Sequence, residues 1–108
     1  MSEALEVSVE EAAELLRSEN PPRLLDVREG LEWQIVHLDH AELLTQELLD
    51  ELLENEARDR PIVCYCHHGI RSLNAAHFLR EQGFTNVRSM RGGIDAWACE
   101  IDPTMNRY

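Results

Sequence analysis

No apolar run in this sequence approaches the ~18 residues that a membrane-crossing helix needs, and no basic-then-apolar leader pattern stands at its start. The expected location is therefore the cytoplasm, with no membrane partner. Positive charge is scarce: ten basic residues face 21 acidic ones, a net charge of −11. A nucleic-acid binder needs a basic face, so nucleic acid is excluded as a partner and an anionic membrane surface is disfavoured. Cysteine is also rare. Three cysteines cannot all pair with one another, and a reducing compartment would keep them as thiols. There is no CxxC and no second Cys/His cluster, so no metal site is expected. Repeats, low-complexity tracts and linkers are missing as well. The 108 residues suffice for one domain, 1–108, with one core.

The informative stretch is Ile62-Val63-Cys64-Tyr65-Cys66-His67-His68-Gly69-Ile70-Arg71-Ser72. Ile62, Val63 and Tyr65 favour a strand, which Pro61 is suited to open. From Ser72 the pattern turns helical: Ala75, Ala76, Phe78 and Leu79 recur at helical spacing until Gly83. Cys66 is thus placed at a strand-to-helix junction, at the carboxyl end of the strand, where open α/β sheets bind ligands. A short loop there turns its backbone N–H groups inward, and the following helix adds the positive end of its dipole. A thiolate in such a cradle is stabilised, so the pKa of Cys66 should fall below the usual ~8.5. Gly69 suits the loop because it tolerates positive φ. Arg71 adds a permanent cation with a forked donor set.

Around this centre, Leu5-Glu6-Val7 reads as a short edge strand, and Ser8 with Glu11 as a capping box opening a helix that Asn20-Pro21-Pro22 ends. Arg23 to Val27 is an apolar strand suited to burial on both faces. Glu29 to about Leu38 reads as a short helix or turn with Trp33, Ile35 and Leu38 inward. Thr45 caps a helix to about Ala57 with Leu48, Leu49, Leu52 and Leu53 as its stripe. Asn86 to Met90 is a strand, and Gly92-Gly93 turns into a last short helix. Strands alternating with helices predict a small open, mainly parallel sheet of four or five strands with helices on both faces, an α/β fold.

Cys66 is the candidate catalytic thiol. Cys64, two residues earlier, is expected in the core, since an offset of ~6.6–7 Å along a strand is at the edge of what a disulfide spans. Cys99 is expected as a half-buried packing residue. His67 and His68 can serve as acid–base groups, as partial positive charge or as rim. Arg71 either clamps an anion or pairs with a carboxylate such as Asp26 or Glu29. Asp26 and Arg28 end the neighbouring strand and support the site or form an ion pair at the base of the loop. Trp33 and Trp97 read as core or pocket wall.

Cys66-His67-His68-Gly69-Ile70-Arg71-Ser72 resembles the active-site loop of single-domain rhodaneses, the sulfurtransferases. Leu24-Leu25-Asp26-Val27-Arg28-Glu29 looks like that family's Asp-Val-Arg strand end, and Gly92-Gly93-Ile94-Asp95-Ala96-Trp97 like its closing segment. The His-Ile-Pro-Gly-Ala-like segment of the family is only partly kept, as His37-Leu38-Asp39-His40-Ala41. The resemblance implies a rhodanese-like fold and sulfane-sulfur transfer through a persulfide on Cys66. It also implies that His67, His68, Gly69, Ile70 and Arg71 bind the substrate, with no cofactor. The implied partners are a small anionic donor such as thiosulfate and a nucleophilic acceptor: cyanide in an assay, a thiol or a sulfur-carrier protein in a cell. The tail from Ile101 to Tyr108 looks like the ending of rhodanese domains fused to enzymes that activate sulfur carriers. Three other functions compete. A Cys-based phosphatase places five residues between Cys and Arg, where this loop has four. A non-enzymatic partner-binding module commonly lacks the thiol. A thiol–disulfide switch needs a second thiol close by.

Overall fold

A computed structural model describes residues 5–107. Its ten elements alternate: β1 (Glu6–Val7), α1 (Val9–Leu16), β2 (Arg23–Asp26), α2 (Gly30–Ile35), β3 (Glu42–Leu43), α3 (Gln46–Asn55), β4 (Ile62–Tyr65), α4 (Ile70–Glu81), β5 (Val87–Met90) and α5 (Gly93–Glu100). The five strands form one sheet in the order β1-β5-β4-β2-β3, and every pairing is parallel. The expected α/β architecture is what forms. Tyr108, at the end of the tail, lies outside the described residues.

Side-chain alternation along the strands builds two core layers. Leu24, Val63, Tyr65 and Met90 point to one face and pack with Val9 and Ala12 of α1 and Ile94 of α5. Leu25, Ile62, Cys64 and Val87 point to the other, against Leu52 of α3 and Ala76 and Leu79 of α4. Strand β4 is buried at all four positions, as a central strand covered on both faces must be. The Ser8–Glu11 capping box and the Thr45 cap both form.

Three expectations need correction. Ile35 is half exposed rather than inward, because α2 lasts six residues and Leu38, beyond its end, fills the core instead. The stretch after α2 contains a strand that periodicity did not reveal: β3 pairs Glu42 with Leu25 and Leu43 with Asp26. Arg23 of β2 fastens it, with Nη2 2.8 Å from Glu42 Oε2. Cys99 is exposed on α5 rather than half-buried. Among the described residues, no helix is long and apolar enough to cross a membrane.

Candidate active site

Strand β4 ends at Tyr65, and α4 begins at Ile70, so Cys66 to Gly69 form the junction loop. Gly69 has φ 103°, the left-handed conformation that folds the loop back beneath the start of α4. The result encloses the sulfur. Cys66 Sγ accepts the Gly69 N–H at 3.0 Å and the Ser72 N–H at 3.4 Å, and the Ser72 hydroxyl lies 3.5 Å away. Burial pushes this thiol up. The Ser72 hydroxyl and the amides of Ser72, Gly69 and Arg71 more than offset it, so the net direction is down. Cys64 lacks such donors, and burial pushes it up to about 12. It is a core residue, and both cysteines are free thiols.

The loop is held from outside by α5. Ile94 N–H donates to the Cys66 carbonyl at 2.8 Å, and Asp95 N–H to the His67 carbonyl at 3.1 Å. This approach leaves no room for a side chain at Gly93, where a Cβ would overlap the Cys66 and His67 carbonyl oxygens. Gly93 also has φ 64°. Gly93 therefore does more than turn the chain: it lets the start of α5 press against the Cys66 loop.

His67 and His68 stack, with ring centroids 4.0 Å apart. His68 is exposed and its Nε2 lies 3.7 Å from Asp95 Oδ2, while Arg107 holds Asp95 Oδ1 at 2.9 Å. Burial and the neighbouring His68 lower the pKa of His67, against the pull of Asp95 and Glu32. The side chains of His67, His68 and Asp95 bring ligand atoms within 4.8 Å of one another. The two ring planes are stacked and tilted by only 22°, so lone pairs confined to those planes do not meet at one nearby ion. The arrangement is that of a stacked and ion-paired rim.

Arg71 reaches neither Asp26 nor Glu29. Its guanidinium forks onto Glu32, with Nη1–Oε1 at 2.7 Å and Nη2–Oε2 at 3.0 Å. Glu32 is one helical turn beyond Glu29, and its Oε1 also accepts the Glu29 N–H, closing the capping box of α2. Arg71 therefore ties α2 to the loop at the mouth of the site. Asp26 and Arg28 pair with each other, fully buried, at 2.6 Å. The same guanidinium donates to the Val36 carbonyl and lies 5.6 Å from the centre of the Tyr65 ring. This pair props the residue before Cys66 from beneath. Trp33 stacks on His37, and Trp97 packs against the α1–α5 core layer. Ile70 is largely exposed beside the mouth.

Four further residues, Ser72, Ser89, Glu32 and Asp95, take part in the site with little in residue type or spacing to set them apart. Ser72 lies inside the loop motif and in the first turn of α4, where a serine also reads simply as part of the helix. Ser89 is a fully buried hydroxyl on β5, and its Oγ lies 2.7 Å from Ser72 Oγ. Alternation along β5 puts Ser89 on the same face as the buried Val87, and a hydroxyl on that face is the signal that marks it.

A five-stranded parallel sheet with a thiol in an amide-lined loop at the carboxyl end of its central strand defines a class: α/β domains that use cysteine to handle anions. Comparison with known proteins narrows it. Residues 8–100 match the family model of the rhodanese-like domain, and the chain belongs to that family. Thiosulfate sulfurtransferase GlpE of Actinobacillus pleuropneumoniae is 39% identical over 98 residues, which is 90% of this chain and 90% of that protein. Probable adenylyltransferase/sulfurtransferase MoeZ of Mycobacterium tuberculosis is 40% identical over 87 residues, 79% of this chain. The chain spans only 22% of that larger protein. Among solved structures, the human single-domain sulfurtransferase TSTD1 superposes with a TM-score of 0.78 at 26% identity, over 91% of this chain and 98% of that one.

Proposed function

We propose that this protein is a sulfurtransferase, acting as a single domain in the cytoplasm, that carries sulfane sulfur on Cys66. The Cys66 thiolate attacks the outer sulfur of an anionic donor such as thiosulfate. The S–S bond of the donor breaks, sulfite leaves with the electron pair, and Cys66 becomes a persulfide. A nucleophilic acceptor then attacks the outer sulfur and frees the Cys66 thiolate. With cyanide the product is thiocyanate. This is covalent, two-step catalysis that needs no cofactor. The loop amides and the start of α4 stabilise negative charge on sulfur throughout, as an oxyanion hole does on oxygen. His67, His68, Gly69, Ile70 and Arg71 form the walls and rim that receive the donor. Asp26 and Arg28 support the loop from below.

The observation that carries this reading is the ring of amides around Cys66 Sγ, closed by only four residues between Cys66 and Arg71. A ring of that size favours a sulfur atom over a tetrahedral phosphate, which separates this reading from phosphatase chemistry. The GlpE relative, named for thiosulfate sulfur transfer and covered over nearly its whole length, supports the donor. The name of the MoeZ relative and the similar tail support a sulfur-carrier protein or a small thiol as the acceptor in cells.

The test is intact mass and sulfite release after adding thiosulfate to the wild type and to Cys66→Ser. A gain of about 32 Da, one sulfur atom, in the wild type alone and removed by cyanide, is the expected signature of the covalent carrier. No adduct and no sulfite would overturn it.

A further inference from the structure

The Ser72–Ser89 pair admits a definite proton assignment. Ser89 is fully buried on β5, and among the described residues its hydroxyl bonds to one group, Ser72 Oγ at 2.7 Å. Ser72 Oγ has two further neighbours: the Gly69 carbonyl oxygen at 3.3 Å and Cys66 Sγ at 3.5 Å. A carbonyl only accepts. A buried donor without an acceptor is costly, so the arrangement that strands no proton has Ser89 donating to Ser72. The Ser72 proton is then left for Gly69 or for the sulfur.

The two ionisation states of Cys66 use this freedom differently. In the thiol, S–H points to Ser72 Oγ and the Ser72 proton rests on the Gly69 carbonyl. In the thiolate, the Ser72 proton swings to sulfur. Nothing is orphaned by the swing, because the Gly69 carbonyl keeps the Leu73 N–H at 3.2 Å. Ser72 remains polarised by the proton that it receives from Ser89.

We propose that Ser89 is a positioning residue for the reaction: by donating to Ser72 from the neighbouring strand, it commits the Ser72 proton to the negative sulfur of Cys66. This rests on the reading of Cys66 as the nucleophile. Ser89 touches neither the sulfur nor a substrate in this scheme, and it acts only through Ser72. Other titratable groups surround the sulfur. Cys64 lies beneath it on β4, His67 and His68 are on the loop, and Arg71 is at the start of α4. Asp26 and Arg28 stand at the end of β2, and Asp95 on α5. All of them are unchanged when Ser89 is replaced, so a difference between variants isolates the hydroxyl.

The experiment measures the rate of iodoacetamide alkylation of Cys66 against pH in a Cys99→Ser background, read by peptide mass. Ser89→Ala is expected to raise the midpoint by about half to one pH unit, roughly 3- to 10-fold less thiolate at pH below it. Ser72→Ala is expected to raise it further, and adding Ser89→Ala to Ser72→Ala to change nothing more, since the path is already cut. Ser89→Thr, which keeps the donor, is expected to hold the wild-type midpoint. An unchanged midpoint in folded Ser89→Ala, or an equal shift with and without Ser72, would overturn the proposal. Thiosulfate loading of the same proteins separates the two readings. If the midpoint shifts but the wild type takes up no sulfur, sulfur transfer fails and the positioning role stands.

Discussion

Cys64 and Cys66 sit two residues apart at the end of one strand, both almost wholly out of solvent contact, and their thiols move in opposite directions. Burial acts on both. What differs is the supply of donors. Cys64 faces Leu25, Ile62, Ala76 and Val87, which offer none, while Cys66 faces a loop whose amides point at its sulfur. The downward shift of Cys66 is a property of the turn that follows the strand and of the helix ends that fix it. Burial by itself would have made both thiols inert.

The comparison breaks first by exchange of the sulfurs. Cys66→Ser should abolish sulfur loading while leaving urea unfolding close to wild type. Cys64→Ser should keep the loading but lose about 2 kcal/mol in urea unfolding, since it buries a hydroxyl among apolar side chains. Equal loss of loading in both variants would erase the distinction.

Gly93→Ala should damage the reactive thiol from outside. The added methyl meets the Cys66 and His67 carbonyls and sits at positive φ, for about 3 kcal/mol of lost stability and a raised Cys66 alkylation midpoint. Wild-type stability and midpoint in this variant would show that α5 does not hold the loop.

The inert thiol can be tested by alkali. The folded-state pKa of Cys64 is raised to about 12, above the ~8.5 of an exposed thiol. Its contribution to stability is complete below ~8.5 and is lost as pH rises toward 12. Replacing Cys64 with Ala should flatten that part of the urea-midpoint-versus-pH curve. An unchanged slope would mean that Cys64 is not what resists ionisation.

The smallest effect is expected at Arg71. Arg71→Ala should lower kcat/KM for thiosulfate by about tenfold, near 1.4 kcal/mol, with little change in stability, because the side chain is partly exposed. Unchanged kinetics with a fall in stability would make Arg71 a purely structural tie to Glu32.

The strand–thiol–turn–helix order was legible because it uses local signals: a β-prone run, a glycine and a helical stripe in succession. The apolar run from Leu24 to Val27 and the Ser8 capping box were legible for the same reason. Strand β3 was not. It is two residues long, one of them a glutamate, and it is held by backbone pairing to β2 and by Arg23 reaching across to Glu42. Ile35 fell on the wrong side because the end of α2 comes before the apolar stripe completes a turn. Near the site, Cys66 could be read from its own neighbours, but the partner of Arg71 could not. Glu29 is the extended N-cap of α2 while Glu32 lies in its first turn, and a sequence does not settle where a six-residue helix starts. The Ser72–Ser89 contact crosses between β5 and α4, and no spacing rule encodes it.

The grip of α5 on the loop has a further consequence. In a trans peptide unit the carbonyl and the following N–H point to opposite sides. By taking the Cys66 and His67 carbonyls, α5 turns the His67 and His68 amide protons away from itself. The polarity of the loop is thus set by a helix that contributes no group of its own to the sulfur. Both peptide planes are fixed by backbone contacts, so their orientation does not depend on which side chains the loop carries.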